Sequence, residues 1–179
     1  MSDKIDIFVA RAVLIVASLA LAAAPALAEG PGKVELTALY SYLSSEAPDG
    51  DNSFHGHRVD LTVYQNRYFG LGGTLVNSQS RNADLLVGPE FALLDKGRIG
   101  VRLHARAGAV ERLALLNVER AVQRHVWNFA TATGPSLDVN VGKGWIWRVQ
   151  PEILWWKRGG THTDFRLSTG IVARWGTTR

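Results

Sequence analysis

The chain has 179 residues, 46% of them apolar and 20% charged, with 18 Gly, 6 Trp, no Cys and a formal net charge of +4. That composition excludes a disordered chain, a disulfide scaffold and a polytopic helical membrane protein, and the length suits one domain with a sizeable core. The cationic excess is spread thinly with no basic run, so nucleic acid is not an expected partner.

The first segment reads as an export signal. Lys4 and Arg11 precede an apolar run over 12–24, Pro25 interrupts it, and Ala26 and Ala28 supply the small residues a signal peptidase reads, with cleavage before Glu29. The run is shorter than the roughly 20 apolar residues a helix needs to cross a bilayer. Residues 1–28 are therefore expected to be removed, leaving 29–179 as a single domain that is exported yet needs no disulfide.

Beyond Glu29 apolar and polar residues alternate with period two in eight segments, at about 33–43, 57–65, 68–77, 83–94, 98–111, 126–141, 145–156 and 163–175. Each is near or above the roughly 9–11 residues of a tilted membrane-crossing strand. Sorted by parity, one face carries Val34, Leu36, Tyr40, Tyr42, Val59, Leu71, Leu85, Val87, Leu103, Phe129, Leu137, Ile153, Leu167, Ile171 and their like, and no charge. The other holds Glu35, Arg58, Asp60, Glu90, Arg102, Arg106, Asp138, Arg148, Glu152, Asp164, Arg166 and Arg174, six acids against six bases, with His104 among them. Between the strands, 44–56 is expected to be a long polar loop, Asn66-Arg67 a tight turn, 78–82 a medium loop and 95–97 a turn. The 112–125 connection suits a short amphipathic helix through Leu115, Val118 and Val122 or extended strand ends equally; 142–144 is short and 157–162 medium.

Alternation alone leaves two arrangements open: a membrane barrel with the apolar face outward, or a secreted soluble lipocalin-like barrel that hides it around an apolar ligand. The aromatics separate them. Laid up and down, the strands place Tyr40, Tyr42, Trp127, Phe129, Trp155 and Phe165 at one end and Phe69, Phe91, Trp147 and Trp175 at the other, the two girdles a membrane barrel needs. The expected fold is thus an all-β, eight-stranded antiparallel up-and-down transmembrane barrel. Pro89, Pro135 and Pro151 fall inside strands, so β-bulges are expected there, with a possible shift of parity beyond each.

Eight strands leave a lumen just wide enough for side chains to fill. Inward glycines such as Gly72, Gly88, Gly108, Gly134 and Gly170 make room for long arginines, which could line a polar pathway or form a paired plug. Balanced signs favour the plug, because buried charges persist when partnered. His55-Gly-His57, with Asp51 and Ser53, and His162-Thr-Asp164 are the nearest approaches to a metal or hydrolase site. Neither spacing is a signature and loop histidines are usually solvated, so no catalytic, cofactor or metal residues are expected.

The last strand, Ser168-Thr-Gly-Ile-Val-Ala-Arg-Trp175, is similar to the C-terminal assembly signal of outer-membrane proteins at Ser168, Gly170, Ala173 and Trp175, with four residues following. Together with the signal peptide and the strand number, it makes the chain resemble the small outer-membrane β-barrel domain family of OmpA/OmpX type. The resemblance implies a bacterial outer-membrane location, contact with outer-membrane lipids, and recognition by the outer-membrane assembly machinery during biogenesis. It also implies a structural or surface-interaction role, with an extracellular or envelope partner meeting loops 44–56 and 112–125.

Overall fold

The computed structural model describes residues 33–47, 50–78, 83–117, 122–142, 144–157 and 160–176. The cleavage residues Ala26, Ala28 and Glu29 lie outside them. Eight strands follow one another as β1 (Lys33–Ala47), β2 (Gly50–Tyr64), β3 (Phe69–Ser78), β4 (Ala83–Lys96), β5 (Ile99–Asn117), β6 (Val122–Gly142), β7 (Trp145–Lys157) and β8 (Thr161–Gly176). Each pairs antiparallel with its sequence neighbour, and β1 closes on β8 from Lys33↔Gly176 to Ser45↔Asp164. Closure removes the sheet edges that would leave backbone groups unpaired in lipid.

Lys33 and Gly176 define a lower rim, shared by the connections at 65–68 and 97–98 and by Gly144. Local chemistry makes these turns tight. Asn66 Oδ1 accepts the backbone N–H groups of Tyr68 at 2.8 Å and Phe69 at 2.9 Å, and Gly97 sits in the two-residue β4–β5 turn with φ of +64°, a conformation that favours glycine.

The upper rim departs from expectation. Residues 44–47 and 50–56 are strand where a loop is expected: β1 and β2 stay paired from Ser44↔Ser53 to Ala47↔Gly50, so these parts of the polar run form a ribbon. Within the 112–125 stretch, 112–117 and 122–125 are strand ends, with β5 and β6 paired up to Asn117↔Val122. Length at this rim has gone into strands, since backbone hydrogen bonding satisfies polar groups that a long loop would leave to water. Neither ribbon is fully supported by its neighbours: β8 accompanies β1 only to Ser45 and β3 accompanies β2 only to Gly56, while β4 accompanies β5 only to Val110 and β7 accompanies β6 only to Ala130.

The prolines do not create bulges. Pairing of β4 with β5 stops at Val87↔Ala107 and resumes at Glu90↔His104 in unchanged register, so Pro89 merely interrupts the ladder. Pairing of β6 with β7 likewise stops at Thr133↔Ile153 and resumes at Leu137↔Val149, which sets Pro135 opposite Pro151 at the centre of one interruption. Two residues without donors face each other, and a single gap accommodates both. Gly134 permits the tight contact there, because a Cβ on it would lie 2.1 Å from the Pro151 carbonyl oxygen. Register shifts occur instead near strand ends, at Ala92/Leu94, Leu115/Asn117 and Asn140/Gly142.

Candidate functional site

All twelve charges assigned to the inner face point into the barrel; Arg174, near the lower mouth, is half-buried and the other eleven are buried. They form one column running the height of the lumen. At the lower end Glu35 receives Arg148 at 2.8 Å, Arg174 at 2.8 Å, Arg102 at 3.0 Å and Lys33 at 3.3 Å. Asp138 is gripped by Arg148 Nε at 2.7 Å, Arg148 Nη2 at 2.9 Å and Arg102 Nε at 2.7 Å. Glu90 joins this tier to the middle one, lying 3.7 Å from Arg102 and 3.0 Å from Arg106.

In the middle, Arg106 reaches Asp60 at 3.2 Å, Arg58 binds Asp60 at 2.9 Å and Glu152 at 2.8 Å, and Glu152 also takes Arg166 at 2.7 Å and His104 at 3.0 Å. Arg166 pairs with Asp84, Arg112 binds Asp84 at 2.6 Å and Asp164 at 3.4 Å, and the column ends there. Each carboxylate but Asp164 is therefore shared by at least two cations, and Asp164 adds the neutral donors Ser45 and Trp156 to its one arginine. That is the condition under which buried charge can offset its desolvation cost.

Three members of the column were not among the residues singled out by parity. Asp84 opens β4 and lies on the same face as Glu90; Arg112 continues the Arg102, His104, Arg106 series of β5 once that strand is known to extend; Lys33 begins β1 two residues before Glu35. Two buried aromatics cap the column. Tyr64 donates to Glu90, accepts from Arg102 and lies under Lys33 Nζ at 4.2 Å. At the other end Trp156 donates Nε1–H to Asp164 at 3.0 Å and stacks on His162 with ring centroids 4.3 Å apart. The His162–Asp164 pair is thus absorbed into this cap: Asp164 also accepts from Ser45 at 2.6 Å.

Space beside the column is modest. An upper cup, open to solvent and with only about 10 Å³ of interior space, is walled by Leu43, Phe54 and Val76 over Asp84, Arg112 and Arg166, and a lower one of about 10 Å³ lies beside Asp95, Asp138 and Arg174. Leu86, Val110, Ala130, Ala132, Leu154 and Trp156 form an apolar cluster on the upper inner wall, so the lumen is not uniformly polar. Gly72 makes room as expected, since a Cβ there would meet Arg106 Nη2 at 3.3 Å. Gly88, Gly108, Gly134 and Gly170 serve a different need: each lies against a carbonyl of the neighbouring strand.

The opposite parity faces out. Leu71, Leu85, Val87, Leu93, Leu103, Phe129 and Leu137 are exposed, with Val87 at 62% and Phe129 at 64%. A soluble barrel requires these residues inside, so the lipocalin-like alternative fails on orientation. Val34 is the exception on this parity, being buried. Tyr40, Tyr42, Trp127, Phe129 and Phe165 are exposed toward the upper rim and Phe91, Trp145 and Trp147 toward the lower, as membrane interfaces demand.

This geometry has solved counterparts. The chain superposes on Neisserial surface protein A with a TM-score of 0.56 at 12% identity, covering 80% of this chain and 97% of that one. The N-terminal β-barrel domain of Pseudomonas aeruginosa OprF gives 0.59 at 8% identity, again over 80% and 97%. The fold is that of the eight-stranded transmembrane barrels. No protein-family model and no curated protein sequence matches the chain. Within the barrel, the four positions of the resembling assembly signal divide by face: Ser168 is buried and bonded to Ser41 at 2.7 Å, Gly170 packs on Ala38 at the β1–β8 seam, and Ala173 and Trp175 are on the outward parity.

Proposed function

We propose that the protein is a bacterial outer-membrane barrel whose lumen is plugged by its own ion pairs and whose work is done at the surface, as a structural or interaction protein. The continuous column of buried, doubly partnered carboxylates supports this reading. A conducting pore needs water-exposed charge along its length, and here Arg58, Arg102, Arg148 and Arg166 are nearly inaccessible. With the interior occupied, recognition falls to the two ribbons above the upper girdle, Ser44–Ala47 paired with Gly50–Ser53 and Arg112–Asn117 paired with Val122–Val126, in place of the loops expected there. An extracellular or envelope partner would meet those ribbons, and outer-membrane lipids the apolar belt. The domain begins after cleavage between Ala28 and Glu29, and the assembly machinery reads Ser168, Gly170, Ala173 and Trp175. A non-enzymatic role is supported by Asp164 and Glu152, whose oxygens are taken up by arginine, tryptophan, serine and histidine partners.

Cell fractionation tests the placement. The protein should partition with outer membranes, lack residues 1–28, and shift mobility on a gel when its detergent-folded form is heated. Recovery in the soluble periplasmic fraction without a heat-dependent shift contradicts it.

A further inference from the structure

The outward face carries apolar and aromatic side chains almost throughout, yet His55 and His57 lie there together, exposed, at the upper girdle. They are strand residues, not the loop histidines the sequence suggested, paired with Tyr42 and Tyr40 of β1. Tyr40 organises both. Its Oη is 2.7 Å from His55 Nδ1, its ring stacks on His55 with centroids 5.8 Å apart, and it meets the edge of His57 at 6.3 Å. Tyr42 packs against the other side of the arrangement, 5.3 Å from the His55 ring.

From this geometry we propose that His55 and His57 form a surface site for one borderline divalent cation, Cu²⁺ or Zn²⁺. Residues i and i+2 of a strand project from the same face on Cα atoms roughly 7 Å apart, close enough for two imidazoles to converge on one ion. Imidazole selects copper, zinc and nickel over calcium or magnesium. The Tyr40 bond engages Nδ1 of His55 and leaves Nε2 as the ligating nitrogen; a hydrogen-bonded second nitrogen is the usual support of a metal-bound histidine. Gly56 explains why the spacer is glycine, because a Cβ there would lie 2.5 Å from the Asn77 carbonyl oxygen. That close approach brings β3 alongside, with Asn77 exposed in register with His57 and its side-chain oxygen a candidate third donor. Water completes the coordination. The site stands independently of whether the lumen conducts.

The test uses the folded full chain in detergent micelles, titrated with Cu²⁺ and separately with Zn²⁺ and followed by calorimetry, with copper electron paramagnetic resonance as a second readout. One equivalent should bind, with nitrogen couplings in the copper spectrum. His55→Gln and His57→Gln should each abolish that stoichiometric binding, and His162→Gln should leave it in place. Tyr40→Phe keeps both ligands but removes the bond to Nδ1, and should weaken binding by about tenfold. All four variants should retain the heat-dependent gel shift of the wild type. Absence of stoichiometric binding in the wild type overturns the proposal, as does binding that survives the double substitution. A double variant that keeps the metal but loses affinity for phosphate-bearing vesicles would reassign the pair to lipid headgroups.

Discussion

The two faces of a single strand of this protein live in opposite solvents. In β7, Arg148, Gln150 and Glu152 are buried, whereas Trp147 and Ile153, one residue away from that series, are exposed. A soluble protein inverts this, and the inversion comes entirely from the two-residue period of side chains along a strand. What differs between the faces is the kind of error each tolerates. Inside, a charge is stable because a specific partner is within bonding distance; outside, any apolar residue of suitable size serves, because lipid makes no directional demands.

The largest effect should come from removing a charge inside. Arg148 holds both Asp138 and Glu35; Arg148→Ala leaves Asp138 to Arg102 and Glu35 to Arg102, Arg174 and Lys33 and removes one buried cation from the balanced column, so folding stability in lipid vesicles should fall by about 3–5 kcal/mol in urea titrations. A loss below about 1 kcal/mol would show that the column is wet and relaxed rather than tightly paired. Adding a charge outside comes next. Val87→Arg places a guanidinium at a position 62% exposed between the girdles, and should cost about 2 kcal/mol in a bilayer. If that exposed face met water and not lipid, the same substitution would be nearly neutral, so it separates the two solvents directly.

Smaller thermodynamic effects test the ends of the outer face. Trp175→Asp, close to the lower girdle, should cost only about 0–1 kcal/mol of folding stability. Its amount in the outer membrane should nevertheless drop, because the assembly machinery is proposed to read the aromatic; unchanged membrane levels would remove Trp175 from the signal. Smallest of all, replacing Ala47 to Asn52 with a Gly/Ser linker trims the tip of the β1–β2 ribbon, above the last pairing of β2 with β3 at Gly56↔Ser78. Stability should change by no more than about 0.5 kcal/mol. Loss of the protease-resistant barrel would mean that the ribbon supports the wall.

Strand number, face assignment and the twelve inner charges were legible in the sequence because period two is a strong, local signal. The partners were not. Arg148 is ten residues from Asp138 but 113 from Glu35, and only barrel closure brings β1 beside β8 and both within reach of β7. Polarity misled at the upper rim, where the residues of 44–56 look like loop but have the alternation of a ribbon once Tyr42 and His55 are seen as a pair. The prolines misled for a different reason: nothing local says that Pro135 and Pro151 will face each other and share one gap in the ladder. Arg112 and Trp156 were hidden by strand limits and by a neighbouring tryptophan of the opposite parity, Trp155.

The central claim is that the lumen is closed by its own ion pairs, and ionic current through the purified wild-type barrel in a planar lipid bilayer tests it most directly. The column of arginines and carboxylates from Lys33 to Asp164 should hold steady conductance near the bare-membrane baseline, with Arg148→Ala raising its frequency of openings. Large, long-lived single-channel currents from the wild type would contradict the plug and make the same charges the lining of a pore.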